Sequence, residues 1–250
     1  MVAYGVSKEE AARFGLPCGG TLRLVQEPVK EVAWIEDVLQ RTSSHQLVAR
    51  TVKLSTGEVT LREAARTDVL AFDGLTLTTL FGPRWRLLLI GAGQLSQAVA
   101  HMAQLLDFEV LVCDPREEYA ATLGLEGVTR VLGMPDEVVL EIKPDAHTAV
   151  VALTHDAKLD DMALMEALNS EAFYVGALGS RRNQATRKQR LMEHFGLSAE
   201  ALERLHGPVG LRIGAKTPAE IAVSIVAQIV QVKNAAVTAL VATESSCVKV

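Results

Sequence analysis

The sequence predicts an α/β architecture, a parallel sheet with helices on both faces, preceded by a small α+β domain. Three observations predict it. Continuous apolar runs such as Leu87-Leu88-Leu89-Ile90 and Val110-Leu111-Val112 read as strands buried on both faces, as parallel sheets require. These runs alternate with amphipathic helical segments through the second half of the chain. A glycine-bearing turn, Gly91-Ala92-Gly93, separates the first of these strands from the first of these helices. With 49% hydrophobic and 22% charged residues a real core is expected and global disorder is excluded. A length of 250 residues allows one large domain or two modest ones.

In chain order, Ser7 with Glu10 forms a capping box that starts a short helix, and Gly15 is its natural stop. The turn Leu16-Pro17-Cys18-Gly19-Gly20 then feeds the apolar-polar alternation of a half-buried strand over 21–26. A helix over 31–40 follows, and two strands, 47–54 and 59–62, turn at Ser55-Thr56-Gly57. The weakly patterned stretch 64–83 reads as a linker with one strand at 76–80. Beyond it come strand 86–90, helix 94–106, strands 109–113, 128–132 and 149–153, helix 160–169, strand 173–175, helix 183–195 and a last helix from Pro218 to about Val237. The expected organisation is an α+β domain at 1–63, a linker at 64–83 and a ligand-binding domain at 84–250.

With 25 Lys and Arg against 30 Asp and Glu, the net charge is −5, and no basic run could neutralise a phosphate backbone, so nucleic acid is not an expected partner. The three cysteines, Cys18, Cys113 and Cys247, lie far apart without metal-ligand spacing, which predicts neither a disulfide framework nor a metal site. No stretch of about 18 apolar residues appears, and Met1 to Gly20 lacks the pattern of a signal peptide. The expectation is a cytoplasmic protein without a membrane partner.

Gly91-Ala92-Gly93-Gln94-Leu95-Ser96 follows a buried strand and opens a helix whose apolar face is Leu95, Val99, Met102 and Leu106. Gly91 permits the sharp turn, and Gly93 lets main-chain amides, with Gln94, approach a phosphate at the positive end of the helix. Asp114 ends the next strand 23 positions on (114 − 91), near the roughly 20 expected of an acid that binds ribose hydroxyls. The domain is therefore expected to be a Rossmann-like fold. Ser96 stands where Gly or Ala is usual, which counts against an ordinary nicotinamide site. A doubly wound fold whose glycines serve the turn alone remains the structural alternative.

In such sheets the ligand crevice lies beyond the carboxyl ends of the strands. Four loops there carry polar residues. Asp114-Pro115-Arg116 supplies an acid and a guanidinium. His155 beside Asp156 reads as a ligand-contacting or proton-transferring pair, or as a loop in which Asp156 only bonds amides. Gly179 and Ser180 precede Arg181 and Arg182, whose forks suit a phosphate; two positive charges at a helix start are otherwise unfavourable. Gly214-Ala215-Lys216-Thr217 leads into a helix capped by Thr217 and Glu220, with Lys216 near enough to reach an anion and Ile221, Ile225, Ile229 and Val232 as a core stripe. Cys113 reads as a core thiol. Cys18, between glycines that expose backbone amides, reads either as a ligand-contacting thiol or as a small buried one.

Several motifs together resemble the XdhC/CoxI family of xanthine dehydrogenase accessory proteins. They are Gly-Leu-Pro-Cys-Gly-Gly at 15–20 with Glu27-Pro28, Ile-Gly-Ala-Gly at 90–93, Asp-Pro-Arg at 114–116, Thr-His-Asp at 154–156, Tyr-Val-Gly-Ala-Leu-Gly-Ser-Arg-Arg at 174–182, and Gly-Pro-Val-Gly-Leu-Arg-Ile-Gly-Ala-Lys-Thr-Pro-Ala-Glu-Ile-Ala at 207–222. The resemblance implies a chaperone that binds molybdenum cofactor (molybdopterin), supports its sulfuration and delivers it to a xanthine dehydrogenase-type apoenzyme. A cysteine desulfurase would be a further partner, and homodimerisation is left open. Cys18 would match the cysteine that handles the sulfur or molybdenum, and the Gly91 loop would match the ligand site. Family members begin with a further segment carrying a Gly-Gly-Cys-Val-Glu-like motif. The N-terminal domain is therefore expected to be partial, through a start placed late, a separate small chain that supplies the rest, or a form that keeps ligand binding alone.

Two rival readings use the same residues. An NAD(P)-dependent oxidoreductase would use the Gly91 loop, Asp114 and His155 as an acid. A nucleotide-sensing module would use the loop with no chemistry at Cys18.

Overall fold

The computed structural model describes residues 1–14, 20–29, 31–65, 68–120, 124 and 126–246, with backbone only at 119–120 and 236–246. It divides into two compact units, Met1–Phe81 and Gly82–Val250.

In the first unit, strand β1 (Val2–Val6) leads to helix α1 (Lys8–Arg13), which the Ser7 and Glu10 capping box opens as expected. Strand β2 (Gly20–Leu24) pairs antiparallel with β1. All five of its residues are exposed, which corrects the half-buried strand expected from its alternation. Nothing in local periodicity says whether a second layer covers a strand, and a two-stranded ribbon has no layer of its own.

Helix α2 (Ala33–Ser43) carries an Asp37–Arg41 ion pair one turn apart. Strands β3 (Val48–Lys53), β4 (Val59–Glu63), β5 (Ala71–Phe72) and β6 (Thr76–Phe81) form a sheet in the order β4-β3-β6-β5. The stretch read as a linker over 64–83 thus supplies two strands, and β6 pairs with β3 along its whole length. Strand β6 is the one expected at 76–80, and β5 is the addition; Thr78 bonds Thr51 across the sheet at 2.8 Å, so β6 is held by cross-strand hydroxyls as well as by apolar burial. Arg50, buried in β3, makes a two-pronged bond to Glu27 at 2.6 and 3.0 Å and lies over Trp34.

The second unit runs β7 (Arg86–Ile90), α3 (Gln94–Gln104), β8 (Glu109–Cys113), α4 (Glu117–Ala120), β9 (Val128–Val131), α5 (Pro135–Ile142), β10 (Thr148–Ala152), α6 (Ala157–Asn169) and β11 (Tyr174–Ala177). It continues with α7 (Arg181–Phe195), α8 (Ala199–Glu203), β12 (Leu205–His206) and α9 (Pro218–Ser246). Six parallel strands lie in the order β12-β11-β10-β7-β8-β9. This is the third-second-first-fourth-fifth-sixth order of the Rossmann fold, read from the other edge.

The continuous apolar runs follow from this layering. Leu87, Leu89, Val110, Val112, Ala149 and Val151 face α3 and α9, whose Val99, Ala100, Ile225 and Ile229 complete one core. Leu88, Ile90, Leu111, Val150 and Ala152 face the other way, onto Val138, Leu164, Leu168 and Leu191 of α5, α6 and α7. Cys113 lies in this second core, where burial first, with Asp114 and Asp136 nearby, pushes its thiol up to about 12. Helices α4, α5 and α8 and strands β1, β5 and β12 go beyond the sequence reading; α5 was legible in Pro135 at its first turn and in Val138, Val139 and Ile142. Helices α6 and α7 start earlier than expected, at Ala157 and Arg181. Leu106, expected on the α3 stripe, falls beyond the helix end and is 42% exposed, while Ala100 and Ala103 line the face instead. No helix among the described residues is long and apolar enough to cross a membrane.

Leu88→Ala should cost about 2–5 kcal/mol of unfolding free energy, whereas Leu132→Ala, at a position 78% exposed, should stay within about 0.5 kcal/mol. Urea titration followed by circular dichroism measures both.

Candidate functional site

The strand order reverses between β7 and β10, so the loops leaving their carboxyl ends diverge and open a crevice. Gly91 makes the first turn of that crevice. Its φ of +106° is a conformation other residues rarely adopt, and a Cβ there would lie 3.0 Å from Thr154 Cγ2 and 3.3 Å from the Thr154 amide. The Gly91 amide donates to the Cys113 carbonyl at 2.8 Å. Gly93 is the N-cap of α3, with no side chain capping the helix, and a Cβ added there meets nothing within 4 Å. The amides of Gln94, Leu95 and Ser96 open a helix whose first turn has no acidic residue, the arrangement that attracts an anion. Ser96 is buried, and its hydroxyl has no hydrogen-bond partner among the described residues.

Asp114 has a structural task that its spacing does not report. Its side chain is fully shielded from solvent. One oxygen accepts the Ala92 amide at 2.9 Å and Arg116 Nη2 at 2.8 Å; the other accepts Arg116 Nε at 2.8 Å and the Arg116 amide at 3.1 Å. Burial pushes this carboxyl up, but the hydrogen bonds from Arg116 and Ala92, with the Arg116 charge, outweigh it and hold the group below the usual carboxylate range. Asp114 therefore clamps the Gly91 turn to the end of β8. A ribose hydroxyl at Asp114 would have to compete with these four donors.

After β10, Thr154 is fixed by Asp160, whose Oδ1 accepts the Thr154 hydroxyl at 2.7 Å and its amide at 3.2 Å. Asp156 caps α6 by accepting the Lys158 amide at 2.8 Å, next to the exposed His155. After β11, Gly179 has φ +149° and Ser180 caps α7, accepting the Asn183 amide at 3.1 Å. Arg181 and Arg182 occupy the exposed first turn of this 15-residue helix, which holds no acid in that turn. The structure separates them: Arg182 lines a cleft of about 270 Å³ with His155, Asp160, Gly179, Asn183, Thr186, Arg187 and Arg190, and Arg181 does not.

The sequence reading missed the charged floor of that cleft. Arg187 is nearly enclosed, with Nη2 on Asp160 at 2.8 Å, Nε on Asp161 at 3.2 Å and Nη1 on the Leu178 carbonyl at 3.1 Å. Arg190 bonds Asp161 from the more open side. Burial raises the Asp160 carboxyl above its ordinary range, against the lowering effects of Thr154 and Arg187, with Asp161 adding to the rise. The signal was available: Asp160-Asp161 interrupts an otherwise apolar helix face, and Arg187 and Arg190 are one turn apart. At the other end of the loop set, Glu220 accepts the Lys216 and Thr217 amides at 2.7 and 3.0 Å, so Thr217 acts as a cap. Cys18, with the whole 15–19 segment, and Cys247 lie outside the described residues. Among the described residues no three His, Cys, Asp or Glu side chains gather as metal ligands.

Comparison with known proteins places these features in a family. The profile of the XdhC Rossmann domain matches residues 87–229. An uncharacterized protein, YqeB, of Escherichia coli K12 is 37% identical over 161 residues, covering 62% of this chain and 29% of the relative. A protein of Bacillus subtilis 168 named as a probable xanthine dehydrogenase subunit is 33% identical over 153 residues, 61% of this chain and 44% of the relative. A molybdenum cofactor insertion chaperone, PaoD, of E. coli K12 is 27% identical over 219 residues, 87% of this chain and 61% of the relative. The chain thus spans less than two thirds of the length of each of these curated relatives. A crystal structure of a xanthine dehydrogenase from Bacillus halodurans superposes with a TM-score of 0.70 at 23% identity, covering 93% of this chain and 75% of that one, a likeness of fold.

Asp114→Asn should destabilise the protein by about 1–3 kcal/mol at neutral pH, since it weakens a buried, charge-assisted hydrogen-bond set. Because the folded carboxyl titrates below its unfolded value of about 3.9, the wild type's advantage over the variant should be complete above that pH and fade as the pH falls through the lower, folded value. Chemical denaturation of both proteins from pH 7 down to pH 3 reads the difference directly.

Proposed function

The chain belongs to the XdhC family, its Rossmann domain spanning most of the second unit, and from that premise we propose that it binds molybdenum cofactor as an accessory protein for a xanthine dehydrogenase-type enzyme. The observation that carries this reading is the cradle at the switch point. It combines an uncapped helix N-terminus, open space over Gly93, and a turn held rigid by the Asp114 clamp. Molybdopterin carries a phosphate, and backbone amides at a helix start suit that group without needing a positive side chain. Gly91 and Gly93 give it room, and the amides from Gln94 onward would hold it.

The names of two relatives support the cargo and the client. One is a molybdenum cofactor insertion chaperone, and the other is a probable component of a xanthine dehydrogenase. Support of sulfuration, with a cysteine desulfurase as sulfur donor, and delivery to the apoenzyme are the finer parts of the proposal. Cys18 is its proposed sulfur- or molybdenum-handling residue, and homodimer formation is part of the same reading. When bound, the cargo would bring a molybdenum centre ligated by dithiolene sulfurs; the protein's own contribution is to grip the phosphate and keep the carrier loops in place. The oxidoreductase alternative draws less from the site, since Asp114 already accepts four hydrogen bonds from the chain and a ribose would have to compete with them.

Protein purified from a host that makes the cofactor should release a fluorescent pterin on oxidation, and Gly93→Val should reduce that yield at least about tenfold, the equivalent of losing one charge-assisted phosphate contact. No pterin from the wild type, either as purified or after addition of released cofactor, would contradict the proposal. Cys18→Ala should keep the pterin and lose activation of the client enzyme; unchanged activation would remove Cys18 from the mechanism.

A further inference from the structure

We infer that the cleft between the first turns of α6 and α7 is a second oxyanion site, one that takes a phosphate group as free phosphate or as a phosphomonoester. Thr154, which packs against Gly91, stands in its wall, but no residue of the 91–96 turn does, and the inference holds whatever occupies that turn.

The charge inventory is the first ground. Three guanidinium groups, those of Arg182, Arg187 and Arg190, line the cleft, and the carboxylates that meet them are Asp160 and Asp161. Arg187 is committed to the protein: each of its three nitrogens has a protein acceptor. Arg190 gives Nε and Nη2 to Asp161, which leaves its Nη1 edge for something else. Arg182 makes no ion pair among the described residues, although it stands in the wall of a concave site. One positive charge is therefore in surplus, and it is presented beside a second, partly engaged guanidinium. Paired guanidinium edges match the spacing of phosphate oxygens.

The second ground is placement. Basic residues in the first turn of a helix oppose its dipole, and α7 has Arg181 and Arg182 there with no acid to balance them. The same turn is favourable once an anion lies in front of it, because the anion then meets the helix amides and the guanidinium together. The third ground is size and lining. A volume of about 270 Å³ is several times the roughly 30 Å³ of one water, enough for a tetrahedral oxyanion with part of the group that bears it. Asn183, Thr186 and His155 add neutral polar groups to its wall, beside the apolar Ala157 and Leu178. Arg187, locked between α6 and the exit of β11, acts as a post that keeps the two helix starts apart and so keeps the cleft open.

The test is calorimetric titration of the whole chain with inorganic phosphate, and separately with ribose 5-phosphate, at constant ionic strength made up with chloride. Both ligands should bind saturably if the phosphate group is what is recognised; tighter binding of one identifies the source. Arg182→Gln should weaken binding at least about tenfold, the scale of one charge-assisted contact. Arg181→Gln, which removes the same charge from the same turn outside the cleft, should change it less than about twofold. Binding that depends on Arg182 should persist in a Gly93→Val background, where the turn at Gly91 no longer takes a phosphate. A flat titration of the wild type, equal losses in Arg181→Gln and Arg182→Gln, or a loss confined to Gly93→Val would each overturn the inference. Circular dichroism melts of the exposed Arg182 variant confirm that it is folded.

Discussion

From the end of β8, Asp114 accepts the amide of Ala92 and the guanidinium of Arg116, and one carboxylate thereby ties the Gly91 turn to the neighbouring strand at the point where the sheet reverses its strand order. The clamp works because it is buried and fully hydrogen-bonded; a shielded carboxylate lacking those donors would be strongly disfavoured. Once Ala92 is held, Gly91 must adopt its positive φ, and Thr154 on the other side leaves no room for a side chain. The outcome is a helix start whose amides face open space with their geometry set in advance, so an incoming anion need not organise them.

A second polar assembly does comparable work one strand further along. Asp160 and Asp161 in α6 join Arg187 and Arg190 in α7, and Asp160 also fixes Thr154, the residue that crowds Gly91. Buried ion pairs of this kind add little to stability compared with an apolar core. Their value here is positional, since they fix the two helix starts and the strand exits on which the loops depend. The two assemblies explain why a chain of net charge −5 can still offer a favourable edge to an anionic cargo: local amides and guanidinium groups, close at hand, outweigh a diffuse field that salt screens.

Much of this architecture was legible in the residues. The apolar runs of β7, β8 and β10 announced a doubly buried sheet, the Gly91 turn announced the start of a helix after a buried strand, and the capping boxes at Ser7 and Thr217 appear where their spacing put them. What escaped reading depends on contacts distant in sequence. Strand β5 escaped reading because two residues carry no period of their own, and only its pairing with β6 makes it a strand. The clamp that Asp114 makes on Ala92 was not legible, because spacing reports position along the chain and says nothing of which donors a carboxylate meets. Arg181 and Arg182 were indistinguishable in sequence, and only the direction of the first turn of α7 puts one of them in the cleft wall. The pairing of Asp160 and Asp161 with Arg187 and Arg190 joins the faces of two separate helices, a match that no single-helix pattern displays.

The central claim is that amides at the start of α3 grip the phosphate of the cofactor. Backbone amide chemical shifts of isotope-labelled protein, followed while molybdenum cofactor released from a purified molybdoenzyme is added, test it most directly. The account predicts that the largest changes fall on the amides of Gly91 through Ser96, including Gly93 and Gln94. Changes that leave this turn untouched while the cofactor demonstrably binds elsewhere would contradict it.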